Sequence, residues 1–221
     1  MIYSDQKKFI FFAAGKTGTT SMEEALAEYS DEIPFEYDKK RFDRHIPPEY
    51  AKANLPKDIW DSYFKFAFVR NPWDWVISFY FFMWPNVYRP YKQKIRTWPY
   101  YLLQIGKRNW GTFDERCFWL IWEHMKKFRR GIDSDNRYQH RFLSDSNGRL
   151  LVDYVGRYER LQDDFELICD RIGAPGRRLP MRNKSKYRGK RYVDYYTPET
   201  IALVRQHYAR DVREFGYTFD V

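Results

Sequence analysis

The stretch KKFIFFAAGKTGTTSMEEAL, residues 7–26, constrains this chain more than any other. An apolar run stops at a Gly-Lys-Thr-Gly turn, and a helix-like pattern follows it. Residues 8–14, KFIFFAA, are short and rich in aromatics and Ile, which reads as a buried strand. Ser21 with Glu24 makes an S-x-x-E capping-box signature, and Met22, Ala25, Leu26 and Tyr29 repeat at helical spacing. Residues 16–20 therefore fall in a strand-to-helix turn, where backbone N–H groups can bind an anion. Gly15-Lys16-Thr17 looks like the tail of a Walker A loop, but Ile10 stands where that motif needs its first glycine. The turn suits a phosphate-like group without the usual grip on ATP.

Two more strand-to-helix units follow. In YFKFAFVRNPWDWVISFYFF, residues 63–82, Tyr63 to Val69 is strand-like, and Asn71-Pro72 starts a helix with Asn as N-cap and Pro at N1. In LLVDYVGRYERLQDDFELICDRIGAP, a strand from Leu151 to Tyr158 precedes a helix with Leu161, Phe165, Ile168 and Ile172 inward, stopped by Gly173 and Pro175. A last helix begins at Thr197-Pro198 and carries Ile201, Val204, Tyr208, Val212 and Phe215 on one face. Alternating elements with nearly continuous apolar strands predict an α/β fold, a P-loop-like parallel sheet flanked by helices. The length of 221 residues suits a single domain, 1–221. Residues 84–140 break the pattern, with Pro85, Pro90 and Pro99 and then a helical run from Asp114 to Phe128. They read as a helical, aromatic insertion over the ligand edge of the sheet. Residues 173–192 read as a basic loop.

A formal charge of +9 favours an anionic partner, whether a nucleotide, an acidic or sulfated glycan, nucleic acid or an anionic membrane. The two cysteines, Cys117 and Cys169, sit in apolar helix-like stretches outside any metal-ligand spacing, so both are expected buried and reduced. KKFIFFAAG is too short for the apolar core of a signal peptide, and no apolar run reaches the length of a membrane span. The expectation is a soluble cytoplasmic protein, or a soluble catalytic domain of a longer anchored chain.

These blocks resemble the PAPS-dependent sulfotransferases (PAPS is 3′-phosphoadenosine 5′-phosphosulfate), closest to the carbohydrate branch of Golgi-type and bacterial enzymes. FFAAGKTGTTSMEEAL is similar to the family's 5′-phosphosulfate loop, and FKFAFVRNPWDWVISFY to its 3′-phosphate motif, in which a helical Ser follows the Arg by eight residues, as Ser78 follows Arg70. VGRYERL with DDFELICDRIGAP, and YARDVREFGY, resemble its third block and its C-terminal helix. The resemblance implies in-line sulfuryl transfer from PAPS without metal. Lys16 would stabilise the leaving group, Thr17, Gly18, Thr19, Thr20 and Ser21 would bind the 5′-phosphate, and Arg70 with Ser78 the 3′-phosphate. Tyr158 falls beside the adenine, and the basic loop with Arg182, Lys184, Ser185, Lys186 and Arg188 is a candidate to close over the nucleotide. Two departures stand out: Ala14-Gly15 replaces the common Pro before the lysine, and Trp75 stands where an Arg often follows NPWD.

The chemistry agrees on independent grounds. PAPS carries two separate anionic ends, and the chain offers two strand-end sites, each with its own cation, Lys16 and Arg70. The second strand ends in Arg where a Walker B motif would place Asp. The acceptor hydroxyl needs a general base. Of the four histidines, His45 in RFDRHIPPEY resembles the base of the uronyl and heparan 2-O-sulfotransferases, and His140 is the second candidate. His124 and His207 read as structural or exposed, while Glu23, Glu24, Glu36 and Glu49 stay in play because other branches use Glu. Tyr80, Phe82, Trp84, Tyr88, Tyr91, Trp98 and Trp110 would include a few sugar-stacking faces among mostly core residues. The alternatives are a P-loop kinase for a small metabolite, a sulfotransferase for a non-carbohydrate acceptor, and a non-catalytic module for heparin-like glycans or nucleic acid. No nucleic-acid motif supports the last.

Overall fold

The computed structural model describes residues 1–42, 45–88, 138–180 and 191–219, with backbone alone at 40–41 and 83–88. It divides into two compact units, Met1–Asn71 with Arg129–Lys184 and Pro72–Phe128 with Ser185–Val221.

The first unit holds a sheet of order β1-β2-β3-β4, with β1 Ile2–Ser4, β2 Phe9–Phe12, β3 Phe64–Val69 and β4 Tyr154–Arg157. β2, β3 and β4 are parallel, as the apolar runs predict. β1 was not foreseen: it pairs antiparallel with β2 and gives the sheet an edge. Every residue of β2 is fully buried. Phe9 and Phe11 share one face with Phe66 and Phe68, and this face packs on Met22, Leu26, Phe165 and Ile168. Ring centroids of Phe11 and Phe66 are 5.3 Å apart, and those of Phe64 and Phe66 5.5 Å. An aromatic row of this kind buries large apolar area per residue, which lets short strands hold. β4 comes close to the row because Gly156 has no side chain: a Cβ there would lie 2.4 Å from Phe68 Cε1.

Helices α1 Thr19–Ala25, α2 Lys39–Phe42, α3 Pro48–Asn54 and α4 Lys57–Ser62 separate β2 from β3. Helices α6 Gln139–Leu143 and α7 Leu161–Arg171 flank β4. α7 follows its sequence pattern, with Phe165, Ile168 and Ile172 buried and Gly173 in the left-handed region as its stop. Asp164 in its first turn is almost fully buried; it accepts from the Arg157 N–H (2.6 Å) and the Tyr154 hydroxyl (3.2 Å), tying helix to strand. Cys169 is a buried free thiol, pushed up to about 11 by burial. Cys117 lies outside the described residues.

The second unit contains α5 Pro72–Tyr88, α8 Pro198–His207 and α9 Ala209–Glu214. α5 opens with Pro at its first position, as the Asn-Pro pair predicts. The fully buried Trp73 donates its indole N–H to Ile201 O (3.1 Å), and its own carbonyl accepts from the Tyr196 hydroxyl (2.7 Å). Thr197 caps α8 through its hydroxyl, which accepts from the Thr200 N–H. The single C-terminal helix expected from the pattern is in fact two: the chain leaves helical geometry at Tyr208, whose ring is buried beside Trp75 at 5.9 Å. Trp75 stacks on Phe79 at 5.3 Å, so the departure from the family's usual Arg serves as core. Among the described residues, no helix is long and apolar enough to cross a membrane.

Candidate active site

The parallel strands β2, β3 and β4 all end at the same edge of the sheet, which sets the geometry. After β2 the chain enters the loop at residues 13–18. Lys16 takes a positive φ of 68°, unusual for a residue with a side chain, and Gly18 follows at 84°. These two left-handed turns curl the loop before α1. A Cβ at Gly18 would lie 3.0 Å from Leu161 Cδ2 and 3.5 Å from Tyr158 Cδ2, so the loop closes onto the end of β4.

The capping-box expectation is corrected here. α1 begins at Thr19, with Gly18 as N-cap and no side-chain cap, and Ser21 lies within the first turn. Ser21 N and Met22 N both bond to the Gly18 carbonyl, at 3.0 and 3.3 Å. The preceding N–H groups lead the helix and have no carbonyl within it. Thr17 is fully buried, and its hydroxyl donates to Ala14 O at 2.8 Å, so this side chain staples the loop. Thr19 and Ser21 are buried, and Thr20 is half-buried.

Arg70 follows the last residue of β3 and is buried. Its guanidinium stacks on the Tyr158 ring, 3.9 Å from the centroid, and Nη1 donates to Lys16 O at 3.2 Å. Loop, strand end and Tyr158 thus form one cluster. Burial first, and then repulsion from the Arg70 guanidinium, bring the Lys16 ammonium down to about 8. A buried guanidinium beside a half-buried ammonium favours a nearby anion.

His45, between α2 and α3, places Nδ1 2.6 Å from Ala13 O. A carbonyl only accepts, so Nδ1 carries a proton, and the tautomer this selects for a neutral ring has its lone pair on Nε2. The histidine is thereby fixed against the root of the Lys16 loop. His140 is buried in α6, with its ring 6.0 Å from that of Tyr138. Glu49 accepts from the Ser146 N–H, Glu23 is half-buried, and Glu24 and Glu36 are exposed. Ser78 is buried in α5 of the second unit. His207, at the end of α8, is half-buried.

Of the aromatic candidates, Tyr80 is half-buried and Phe82 is exposed. The side chains of Trp84 and Tyr88, all of Tyr91, Trp98, Trp110 and His124, and the loop residues Arg182, Lys184, Ser185, Lys186 and Arg188 lie outside the described residues. The start of that loop is tied to α7: Gln162 accepts from Leu179 N (2.9 Å) and donates to Arg177 O (3.3 Å).

Sequence reasoning missed the groups that hold the end of β3. The Gln139 carboxamide accepts from Arg70 N at 2.6 Å and donates to Arg70 O at 2.7 Å. Glu159 accepts from Asn71 N at 2.6 Å. Glu159 adjoins the Tyr158 already singled out, but nothing local in the sequence marks Gln139.

A mostly parallel sheet whose carboxyl edge carries a lysine loop and a buried arginine defines an α/β protein of P-loop-like build. Within that class the chain belongs to the sulfotransferase family: the profile of the Sulfotransferase family matches residues 1–218, running through both compact units. It is therefore a transferase of sulfuryl groups, in a family whose donor is in general PAPS. No curated protein and no solved structure matches the chain.

Proposed function

We propose that this chain moves the sulfuryl group from PAPS to an acceptor hydroxyl, that of a carbohydrate, with 1–221 acting as one sulfotransferase domain. The observation that carries the reading is the bond from Arg70 Nη1 to the Lys16 carbonyl, which ties the buried Arg70 to the loop of the half-buried Lys16 at one sheet edge. A donor with anionic groups at both ends matches two such cations; a triphosphate chain needs only one loop.

Lys16 is assigned to the oxygen that bridges phosphate and sulfuryl group, where negative charge grows as the S–O bond breaks. The 5′-phosphate is assigned to backbone N–H groups of Thr17, Gly18, Thr19 and Thr20 and to the hydroxyls of Thr19, Thr20 and Ser21. Thr17 contributes its N–H alone, since its hydroxyl is engaged with Ala14. Arg70 takes the 3′-phosphate, and Ser78 is assigned to the same group from its spacing. Tyr158, whose ring supports Arg70, is also assigned to the adenine, and Arg188 is assigned to the nucleotide from the sequence resemblance alone.

His45 is the base. Its Nε2 accepts the acceptor's proton as the hydroxyl oxygen forms the new bond to sulfur, and Ala13 O stabilises the resulting imidazolium through Nδ1–H. With Lys16 and Arg70 supplying the positive charge, the step is assigned to protein groups without a metal.

Two measurements test this. Adenosine 3′,5′-bisphosphate (PAP) should raise the melting temperature, a stabilisation of about 2.7 kcal/mol at a hundredfold excess over its Kd. A rise with ATP–Mg²⁺ and none with PAP would overturn the donor in favour of a kinase. Radiolabelled PAPS should then place label on a sugar hydroxyl in a panel of glycans and small alcohols. Label on the alcohols alone would retain the reaction and replace the acceptor class.

A further inference from the structure

We infer that Gln139 is a positioning residue for 3′-phosphate recognition, acting through the backbone of Arg70. β3 runs out of neighbouring strands before it reaches Arg70. The last pairing with β2 joins Phe12 to Ala67, and the last with β4 joins Val69 to Arg157. Arg70 lies beyond both ladders yet is buried, so its N–H and C=O need partners from elsewhere. The Gln139 carboxamide supplies both, 2.6 Å to N and 2.7 Å to O, imitating the next strand. Gln139 is itself 3% exposed, which holds the amide in place.

Two bonds to one residue fix its peptide planes and therefore the direction in which the Arg70 side chain leaves the sheet. That direction lets the guanidinium stack on Tyr158 and reach Lys16 O. A neutral amide suits this task because Arg70 offers one donor and one acceptor. A carboxylate could satisfy only the N–H, and it would set a negative charge beside the guanidinium.

This rests on the proposed donor, and the experiment separates the two. The ratio of Kd for AMP to Kd for PAP measures what the 3′-phosphate adds. Wild-type protein should prefer PAP. Gln139→Ala should shrink the ratio by about tenfold or more, with AMP affinity nearly unchanged. Gln139→Glu should behave alike at neutral pH and regain part of the ratio, relative to wild type at each pH, as acid protonates its carboxyl and restores a donor. A purely structural Gln139 would lower the melting temperature and both affinities together, leaving the ratio intact, and that result overturns the inference. Should Gln139→Ala fail to fold, Gln139→Glu and Gln139→Met carry the same reading. Wild-type protein that binds AMP and PAP alike would overturn the donor reading, and this inference with it.

Discussion

The loop after β2 and the chain just after β3 solve the same problem, presenting a cation at a sheet edge, by opposite means. The loop is shaped by its own backbone: Lys16 and Gly18 in the left-handed region, a Thr17 staple three residues back to Ala14, and no side-chain cap. The end of β3 has no special dihedral and is held from a distance, by Gln139 and Glu159, which are 69 and 88 residues away from the groups they bond. Local strain positions Lys16; long-range brackets position Arg70. A self-shaped loop should break through its own residues, and a bracketed strand end through residues elsewhere in the chain.

The largest expected break is Lys16→Ala. Removing the cation proposed to stabilise the leaving group should cost about 10²–10³ in turnover or more, while PAP still binds weakly. A transfer assay beside calorimetry with PAP checks it, and near-normal turnover would remove Lys16 from the chemistry.

The next effect is in pH. With the Lys16 ammonium down to about 8, its charge is present below that value and fades above it. PAP affinity should be flat below pH 8 and fall by up to about tenfold for each further unit. Lys16→Arg, which stays charged, should flatten the profile. The stability of the protein without nucleotide should move the opposite way. Lys16's folded value lies below its ordinary 10.5, so burying the charged form costs stability below pH 8, and the cost is relieved between pH 8 and 10.5. Affinity titrations and melting curves over pH 7–10 show both trends.

The smallest effects come from the two loop glycines, and they should differ in sign. Gly18→Ala must hold a side chain at positive φ, a cost of about 1–2 kcal/mol, with Leu161 crowding the new methyl. Gly15→Ala meets nothing within 4 Å, and Gly15 does not sit in the left-handed region. It should be neutral or stabilise by about 0.4–1 kcal/mol through the unfolded chain. Denaturant melts of the pair decide whether Gly18, unlike Gly15, is required for its backbone conformation.

The same contrast explains what the sequence disclosed. The apolar runs of the parallel strands, α7 with its Gly173 stop, the Thr197 cap and the Lys16 turn are each written within a short stretch of chain, and periodicity and turn chemistry expose them. The antiparallel β1 was missed because three residues carry almost no pattern. The C-terminal break at Tyr208 hides inside an unbroken apolar stripe, since a kink can preserve a stripe while ending a helix. Ser21 misled because S-x-x-E fits a cap equally well one turn late, and only the left-handed Gly18 shows where the helix starts. Gln139 was illegible: a glutamine that completes a sheet edge looks like any other until the chain has folded.

Gly156 has a consequence of its own. The position of β4 is gauged by a hydrogen atom, since any larger group there would run into the Phe68 ring. Tyr158, two residues further along, inherits that gauge, and the Arg70 guanidinium rests on Tyr158. The placement of the Arg70 guanidinium is thus ruled from inside the apolar core, and it can shift through a packing change that touches no charge at all.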